Sequence, residues 1–359
     1  MGFRLGNRII DSNERPYFIA DIAANHDGSI DRAYKLIELA KESGADCAKF
    51  QNFKASMIVS RNGFDTMENQ LSHQKSWKKS VYDVYNDASL SDEWSPLLKR
   101  KCDEVGIEYM TSPYDYYSVD LADKYSNAFK IGSGDITWTD IITYIAKKRK
   151  PVLLATGAST MSDVDRAMSI LQKETKDIVL MQCNTNYTAS IENYKYVNLN
   201  VLKLYKNKYP NVVLGLSDHT YGHVTVLGAI ALGARVIEKH FTDDNDRVGP
   251  DHKFSMNPAT WKEMVKESNI LYDSLGDGEK KIESNEMDTA IVQRRSLYYN
   301  RDMKKNQIIT SEDVFPLRPS KLGSVLPYEL SEIIGKRICK NVNADSDVKW
   351  EDIVDDKRQ

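Results

Sequence analysis

The chain has 359 residues, 41% of them hydrophobic, which suffices for one large domain and a second small one. Its formal net charge is −3, with 49 basic and 52 acidic residues interspersed, so nothing in the charge points to nucleic acid or a membrane surface. No apolar run reaches transmembrane length, and MGFRLGNRIIDSNERP lacks the apolar core of a secretion signal.

Residues 1–16 read as a short hairpin, a plug or lid ahead of the main fold. From Tyr17 a βα rhythm begins. Strand-like runs fall at Tyr17–Ala23, Cys47–Phe53, Glu108–Ser112, Ala128–Gly132, Val152–Thr156, Ile178–Cys183, Val212–Ser217 and Ala234–Phe241. Helix-like segments follow, at Ile30–Ser43, Asp92–Val105, Tyr116–Tyr125, Thr139–Lys148, Ser162–Lys173, Asn198–Tyr205, Val224–Leu232 and Pro258–Leu275. Eight βα units in series predict an α/β fold, a (β/α)8 TIM barrel over 17–276. Residues 54–90 form a long polar and aromatic insert with Arg61, Asn69, His73, Trp77, Tyr82 and Tyr85, either a lid over the mouth or a surface excursion. A charged linker, 277–289, leads to a small second domain over 290–359. That domain is expected to hold β-like pieces at Ser296–Tyr299 and Ile338–Asn341, a short helix over Pro327–Ile334, and a turn-rich loop FPLRPSKLG around Arg318. The four cysteines, Cys47, Cys102, Cys183 and Cys339, have no CxxC spacing, which points to reduced thiols and a cytoplasmic protein.

Polar residues gather after the strands, where a barrel carries its active site. They are Asp21, Lys49 and Gln51, then Ser112, then Lys130, Ser133 and Asp135, then Thr185 and Tyr187. The stretch Leu214–Asp251 adds Ser217, His219 and His240, with Asp251 after Gly249-Pro250. Strand-helix-strand order places His219 and His240 at matching ends of neighbouring strands, where two neutral imidazoles can hold a divalent ion. A single histidine is more often a core or surface residue, and His223 and His252 are read that way. Lysines in a barrel mouth imply an anionic ligand, a phosphate or carboxylate, or else ion pairs with Asp21, Asp135 or Glu238. For the whole ring of lysines and hydroxyls the ligand is the stronger reading.

The segments ANHDGS, GADCAKFQ, TSPY, FKIGSGD, LATGAS, GLSDHT, EKHFTDDNDRVGPD and the LRP loop together resemble the sialic acid synthase family, the N-acetylneuraminate, legionaminate and pseudaminate synthases. The resemblance spans nearly the whole chain. It implies a TIM barrel joined to a C-terminal antifreeze-like (SAF) domain. It also implies condensation of phosphoenolpyruvate with an N-acetylated amino-sugar aldehyde to a nine-carbon 2-keto acid, with phosphate released by C–O cleavage. Carried over by motif, Lys49, Ser112, Lys130, Ser133, Thr185 and Ser217 bind phosphoenolpyruvate. Gln51, Tyr187, Asp251 and Arg318 contact the sugar, with Asp21, Asp251 and Lys130 at the chemistry. His219 and His240 hold a divalent metal, manganese, with magnesium or cobalt as alternatives. Arg318 reaching a partner's site implies a domain-swapped homodimer.

Two positions depart from the family pattern. Asp21 stands where the family has Glu, a carboxylate about 1.5 Å shorter in reach. Ala155 stands where a Ser is common, with Thr156 as the candidate replacement hydroxyl. CNTNYT also differs from the usual Ser/Thr–Tyr–Pro segment. The alternatives are a 3-deoxy-octulosonate-type synthase, against which the second domain and GLSDHT argue, and a non-catalytic sugar-binding homologue, against which the lysine ring argues.

Overall fold

Strands of a closed barrel bury both faces, so their side chains alternate between the barrel interior and the helix layer. Eight parallel strands do this here: β3 (Tyr17–Asp21), β4 (Cys47–Asn52), β5 (Glu108–Pro113), β6 (Phe129–Ile131), β7 (Val152–Ala155), β8 (Ile178–Cys183), β9 (Val213–Asp218) and β10 (Ala234–His240). They follow one another around the ring in sequence order, and β10 closes on β3. This is the expected (β/α)8 barrel. The computed structural model describes residues 2–67, 74 and 77–354. The chain divides into two units, one ending at Gly276 and the other starting at Asp277.

Alternation divides the first unit's core in two. Phe18, Ala20, Ile22, Ala48, Phe50, Leu154, Leu180, Leu216 and Ile237 face out and pack with the helices. Tyr17, Ile19, Cys47, Met110, Leu153, Val179, Met181, Val213 and Val236 face in and fill the lower barrel. The N-terminal hairpin, β1 (Phe3–Leu5) and β2 (Arg8–Ile10), is antiparallel. It adds Phe3, Leu5 and Ile10 to that inner cluster, so it is a plug at the barrel floor. Gly215 is required by the crowding beside it, since a Cβ there would lie 2.8 Å from the Val236 carbonyl oxygen and 2.9 Å from Met181 Cγ. The β9–β10 register shifts next to it, between Ala234 and Val236.

Helix ends carry the caps that their sequences encode. Thr160 and Asp163 form a capping box before Met161–Glu174, and Asn257 with Thr260 does so before Pro258–Ser274, with Pro258 in the first turn. The sixth barrel helix begins later than the sequence suggests, at Val201–Lys208, after a 3-10 turn over Ile191–Tyr196. The insert after β4 is not a plain loop. It holds helices Ala55–Ile58, Arg61–Asp65 and Val81–Ala88, the last two capped by the Ser60 and Ser80 hydroxyls. Ala55, Val59 and Val81 pack there with Ile58, Phe64, Trp77, Tyr82 and Tyr85. Asn69 and His73 lie outside the described residues.

The second unit pairs β11 (Ser296–Tyr299) with β12 (Val314–Leu317). Its core is Leu297, Tyr299, Met303, Ile309, Val314, Val325, Ile333, Ile338, Val342 and Val348. Ile338–Asn341 is not a strand, and Ile338 makes a single bridge to Ile353. The charged segment at the start of this unit runs into a short exposed helix, Met287–Gln293. Among the described residues no helix is long and apolar enough to cross a membrane.

Candidate active site

The inward-facing residues change character near the carboxyl ends of the strands. Below are Ile19, Cys47, Met110 and Val236; above are Asp21, Lys49, Ser112 and Glu238. The predicted Asp21, Lys49, Gln51, Ser112, Lys130 and Ser133 line one cavity of about 460 Å³. Thr185, Tyr187, Ser217, His219, His240 and Asp251 line the same cavity. Arg318 belongs to the second unit and is exposed there.

Two buried ion pairs form the floor of this mouth. Lys49 Nζ lies 2.7 Å from Asp21 Oδ2, and Lys130 Nζ lies 2.6 Å from Glu238 Oε1. The lysines therefore have protein partners as well as a place in the cavity wall. Lys49 Nζ also reaches Ser112 Oγ at 3.4 Å, and Ser217 Oγ donates to Glu238 at 3.1 Å. Burial pushes the Asp21 carboxyl up, against the pull of Lys49. Burial also works to raise Glu238, but Lys130 and Lys49 outweigh it and hold the carboxyl at about 2. Burial opposes charge on Lys49, yet Asp21 and Glu238 keep it an ammonium.

The histidines sit as the strand order requires. Ser217 pairs with Glu238 and Asp218 with Lys239 across β9 and β10, and His240 pairs with Asp21. The His219 and His240 ring centroids are 5.4 Å apart. Asn184 O lies 3.0 Å from His219 Nδ1, which makes Nδ1 the donor and leaves Nε2 with its lone pair. Tyr187 and Phe254 brace the rings, with centroids 4.4 Å from His219 and 4.9 Å from His240. Burial lowers both imidazoles to about 3, aided by His240 at His219 and by Lys49 at His240, so both are neutral at neutral pH. His240 Nε2 stands 3.6 Å from Asp21 Oδ2 and Nδ1 stands 3.9 Å from Asp251 Oδ2, and buried Nδ1 has no hydrogen bond.

Those features fit a divalent ion with two imidazole donors and further oxygen positions. Among the described residues no cluster of three or more metal-ligating side chains is preassembled. Asp251 accepts from the Ala24 N–H at 3.2 Å, and burial pushes its carboxyl up to about 7.

Alternation explains which residues of GLSDHT and EKH stay out of the mouth. Asp218 and Lys239 point away from the barrel axis and pair at 2.5 Å behind it, with Thr220 and Thr225 hydroxyls on the carboxylate. Thr156 does not replace the missing serine hydroxyl at Ala155. Its Oγ1 donates to Met181 O and accepts from Tyr205, both at 2.9 Å, outside the cavity. Ser133 Oγ accepts from the Gly157 N–H at 2.9 Å. A Cβ on Gly157 would lie 2.5 Å from Thr185 Cγ2 and 2.9 Å from Ser133 Oγ, so the glycine lets three loops meet.

His252 is a core residue that also joins two loops. It is fully buried, with Nδ1 2.7 Å from Thr242 Oγ1 and Nε2 2.9 Å from Asp27 Oδ1. It ties the loop that bears Asp251 to the turn after β3. His223 does remain apart, 2.8 Å from Glu267. Glu238 enters as a partner of Lys130, and Phe53, Tyr114 and Asp135 enter as wall residues. Glu238 and Asp135 already stand in the sequence as possible lysine partners, and Glu238 takes that role with Lys130, whereas no local signal marks Phe53 or Tyr114.

A NeuB family model matches residues 36–280 and a SAF domain model matches residues 294–354. The chain belongs to the NeuB family. It is 35% identical over 343 residues to the N,N'-diacetyllegionaminic acid synthase of Legionella pneumophila, covering 94% of each chain. It is 34% identical to an uncharacterized protein of Methanocaldococcus jannaschii, covering 98% of this chain and 99% of the relative. Among solved structures it resembles the N-acetylneuraminic acid (sialic acid) synthetase of Leptospira borgpetersenii. That match has a TM-score of 0.70 at 25% identity and covers 80% of this chain and 95% of that one.

Proposed function

We propose that the protein condenses phosphoenolpyruvate with an open-chain N-acetylated amino-sugar aldehyde, giving a nine-carbon 2-keto acid of the sialic type and inorganic phosphate. The observation that carries this is the convergence of two buried lysines and two neutral imidazoles on one barrel mouth. Lys49 and Lys130, with Ser112, Ser133, Thr185 and Ser217, hold the phosphate and carboxylate of phosphoenolpyruvate. Lys49 pairs with Asp21, and Lys130 with Glu238, before the anion arrives. Gln51, Tyr187 and Asp251 position the sugar. His219 and His240 hold a divalent ion, manganese with magnesium or cobalt as alternatives, which when bound supplies Lewis acidity at the aldehyde oxygen.

C3 of phosphoenolpyruvate forms the new bond to the aldehyde carbon, whose oxygen takes up a proton and becomes a hydroxyl. Water adds at C2, and the C2–O bond to phosphate then breaks to leave the ketone. Lys49 and Lys130 offset the charge of the departing phosphate. Asp21 stays on Lys49 and Gln51 at 2.7 and 3.2 Å, so its shorter side chain serves the floor of the mouth.

Arg318 serves the mouth of a second copy in a domain-swapped homodimer. In support, its loop carries outward apolar side chains, with Phe315 53% and Leu322 100% exposed. The free thiols accord with a cytoplasmic reaction. Mixing Arg318→Ala protein with His240→Ala protein tests the exchange. Activity above that of either variant alone is expected, and none would refute it. Phosphate release from phosphoenolpyruvate that needs both a divalent ion and an amino sugar tests the reaction.

A further inference from the structure

We propose that His252 and Asp27 are positioning residues: their hydrogen bond latches the loop after β10 onto the turn after β3, and the latch sets the place of the Asp251 carboxylate in the mouth. This rests on the synthase reading above and deepens it.

Asp251 and His252 are neighbours in the chain, yet their side chains part. Asp251 lines the cavity, where Oδ2 accepts from the Ala24 N–H at 3.2 Å and stands 3.9 Å from His240 Nδ1. His252 is fully buried and does not line that cavity, and neither does Asp27. Asp27 Oδ1 takes the His252 Nε2 proton at 2.9 Å, which leaves Nδ1 to the Thr242 hydroxyl at 2.7 Å. Asp27 Oδ2 accepts from Arg247 Nε and Nη2 at 2.9 and 2.7 Å, and Arg32 Nε lies 3.0 Å away. Burial works to raise the Asp27 carboxyl, but His252 and Arg247 outweigh it and hold it below its usual range. One carboxylate thus gathers two points of the loop and the helix Ile30–Glu42 that bears Arg32.

The loop is built around this bond. A Cβ on Gly249 would lie 2.6 Å from His252 Cδ2 and 3.0 Å from Nε2, so the chain crosses over the imidazole just before it reaches Asp251. Asp27 holds a φ of +49°, a left-handed conformation that its bonds to His252 and Arg247 keep in place. On the other side of the loop, Asn25 Nδ2 donates to Phe241 O and Ser255 Oγ, both at 2.9 Å, and Ser255 Oγ donates to Asp251 O at 2.6 Å. These contacts fix the Asp251 backbone, and the Ala24 N–H fixes its carboxylate. The latch itself touches no cavity, so its effect on turnover passes through Asp251.

The test compares His252→Asn, whose amide keeps the Thr242 side and gives up Asp27, with His252→Gln, whose amide nitrogen reaches the place of Nε2. Hydrogen exchange at the Ala24 amide reads the Asp251 carboxylate without turnover. It should quicken by at least about tenfold in His252→Asn while the amides of β7 and β8 keep their protection, and His252→Gln should restore most of the loss. Gly249→Ala, which pushes the loop off the imidazole, should repeat the His252→Asn pattern. Phosphate release is then measured with phosphoenolpyruvate, manganese and the amino sugar that the parent uses best. His252→Asn should lose at least about tenfold in kcat/KM for the sugar, the loss usual when an orienting partner is removed, with KM for phosphoenolpyruvate within about twofold. In an Asp251→Asn background the same substitution should cost less than about twofold, because its target is already changed. Additive kinetic losses, or parent-like exchange at Ala24 in both His252→Asn and Gly249→Ala, would overturn the latch. A parent that releases phosphate without any sugar would overturn the synthase reading, and exchange at Ala24 would still decide the latch.

Discussion

The buried pair behind the barrel gives a sharp test of the alternation argument. Lys239 and Asp218 are 1% and 3% exposed, and their charged atoms lie 2.5 Å apart. Lys239→Met leaves a buried carboxylate that keeps the Thr220 and Thr225 hydroxyls, at 2.9 and 2.8 Å, but loses its cation. Breaking a buried pair from one side costs about 3–5 kcal/mol, and the surviving hydroxyls place this case near about 3. For a unit of this size that lowers Tm by about 6–12 °C. Asp218→Asn should cost a similar amount, since the ammonium keeps the Thr220 carbonyl at 2.7 Å. The double variant leaves no lone charge and should recover more than half of the summed loss. Differential scanning calorimetry on the two single variants and the double closes the cycle. Additive losses, or loss of turnover in a fully folded Lys239→Met protein, would refute the assignment of this pair to the scaffold.

His240→Ala should remove tight manganese binding, read by calorimetric titration, while the far-UV dichroism and Tm without metal stay near those of the parent. Gly157→Ala should raise KM for phosphoenolpyruvate by displacing Ser133 and Thr185, at a stability cost of about 1–3 kcal/mol. Asp135 predicts a pH dependence. Its carboxyl moves from its ordinary 3.8 to about 6 on folding, so ionisation costs stability as pH rises through that window. The cost grows by about 1.4 kcal/mol between pH 5 and pH 8. Denaturant unfolding of Asp135→Asn against the parent should show the variant's advantage widening by that amount, and a constant difference would contradict the burial argument.

Much of the fold was legible because barrel strands bury both faces and their helices carry strong caps. Strand-helix-strand order brings His219 and His240 to neighbouring strand ends, and in the barrel they line one cavity with Ser217 and Glu238, each two residues earlier. The short helices of the insert were harder, since four or five residues carry little periodicity. Ser80 and Asp83 were the available cap signal there. His252 escaped notice because its partners, Asp27 and Thr242, are remote or unremarkable in sequence. Thr156 looked like a spare hydroxyl beside Ala155, but one step along a strand turns a side chain to the other face.

Phosphate release with phosphoenolpyruvate, manganese and a panel of N-acetylmannosamine, the diacetamido trideoxyhexoses and arabinose 5-phosphate tests the central claim most directly. Release that requires an N-acetylated amino sugar and stops when the metal is chelated is the predicted result. Release only with the pentose phosphate, or none with any sugar by a folded, metal-loaded protein, would contradict it.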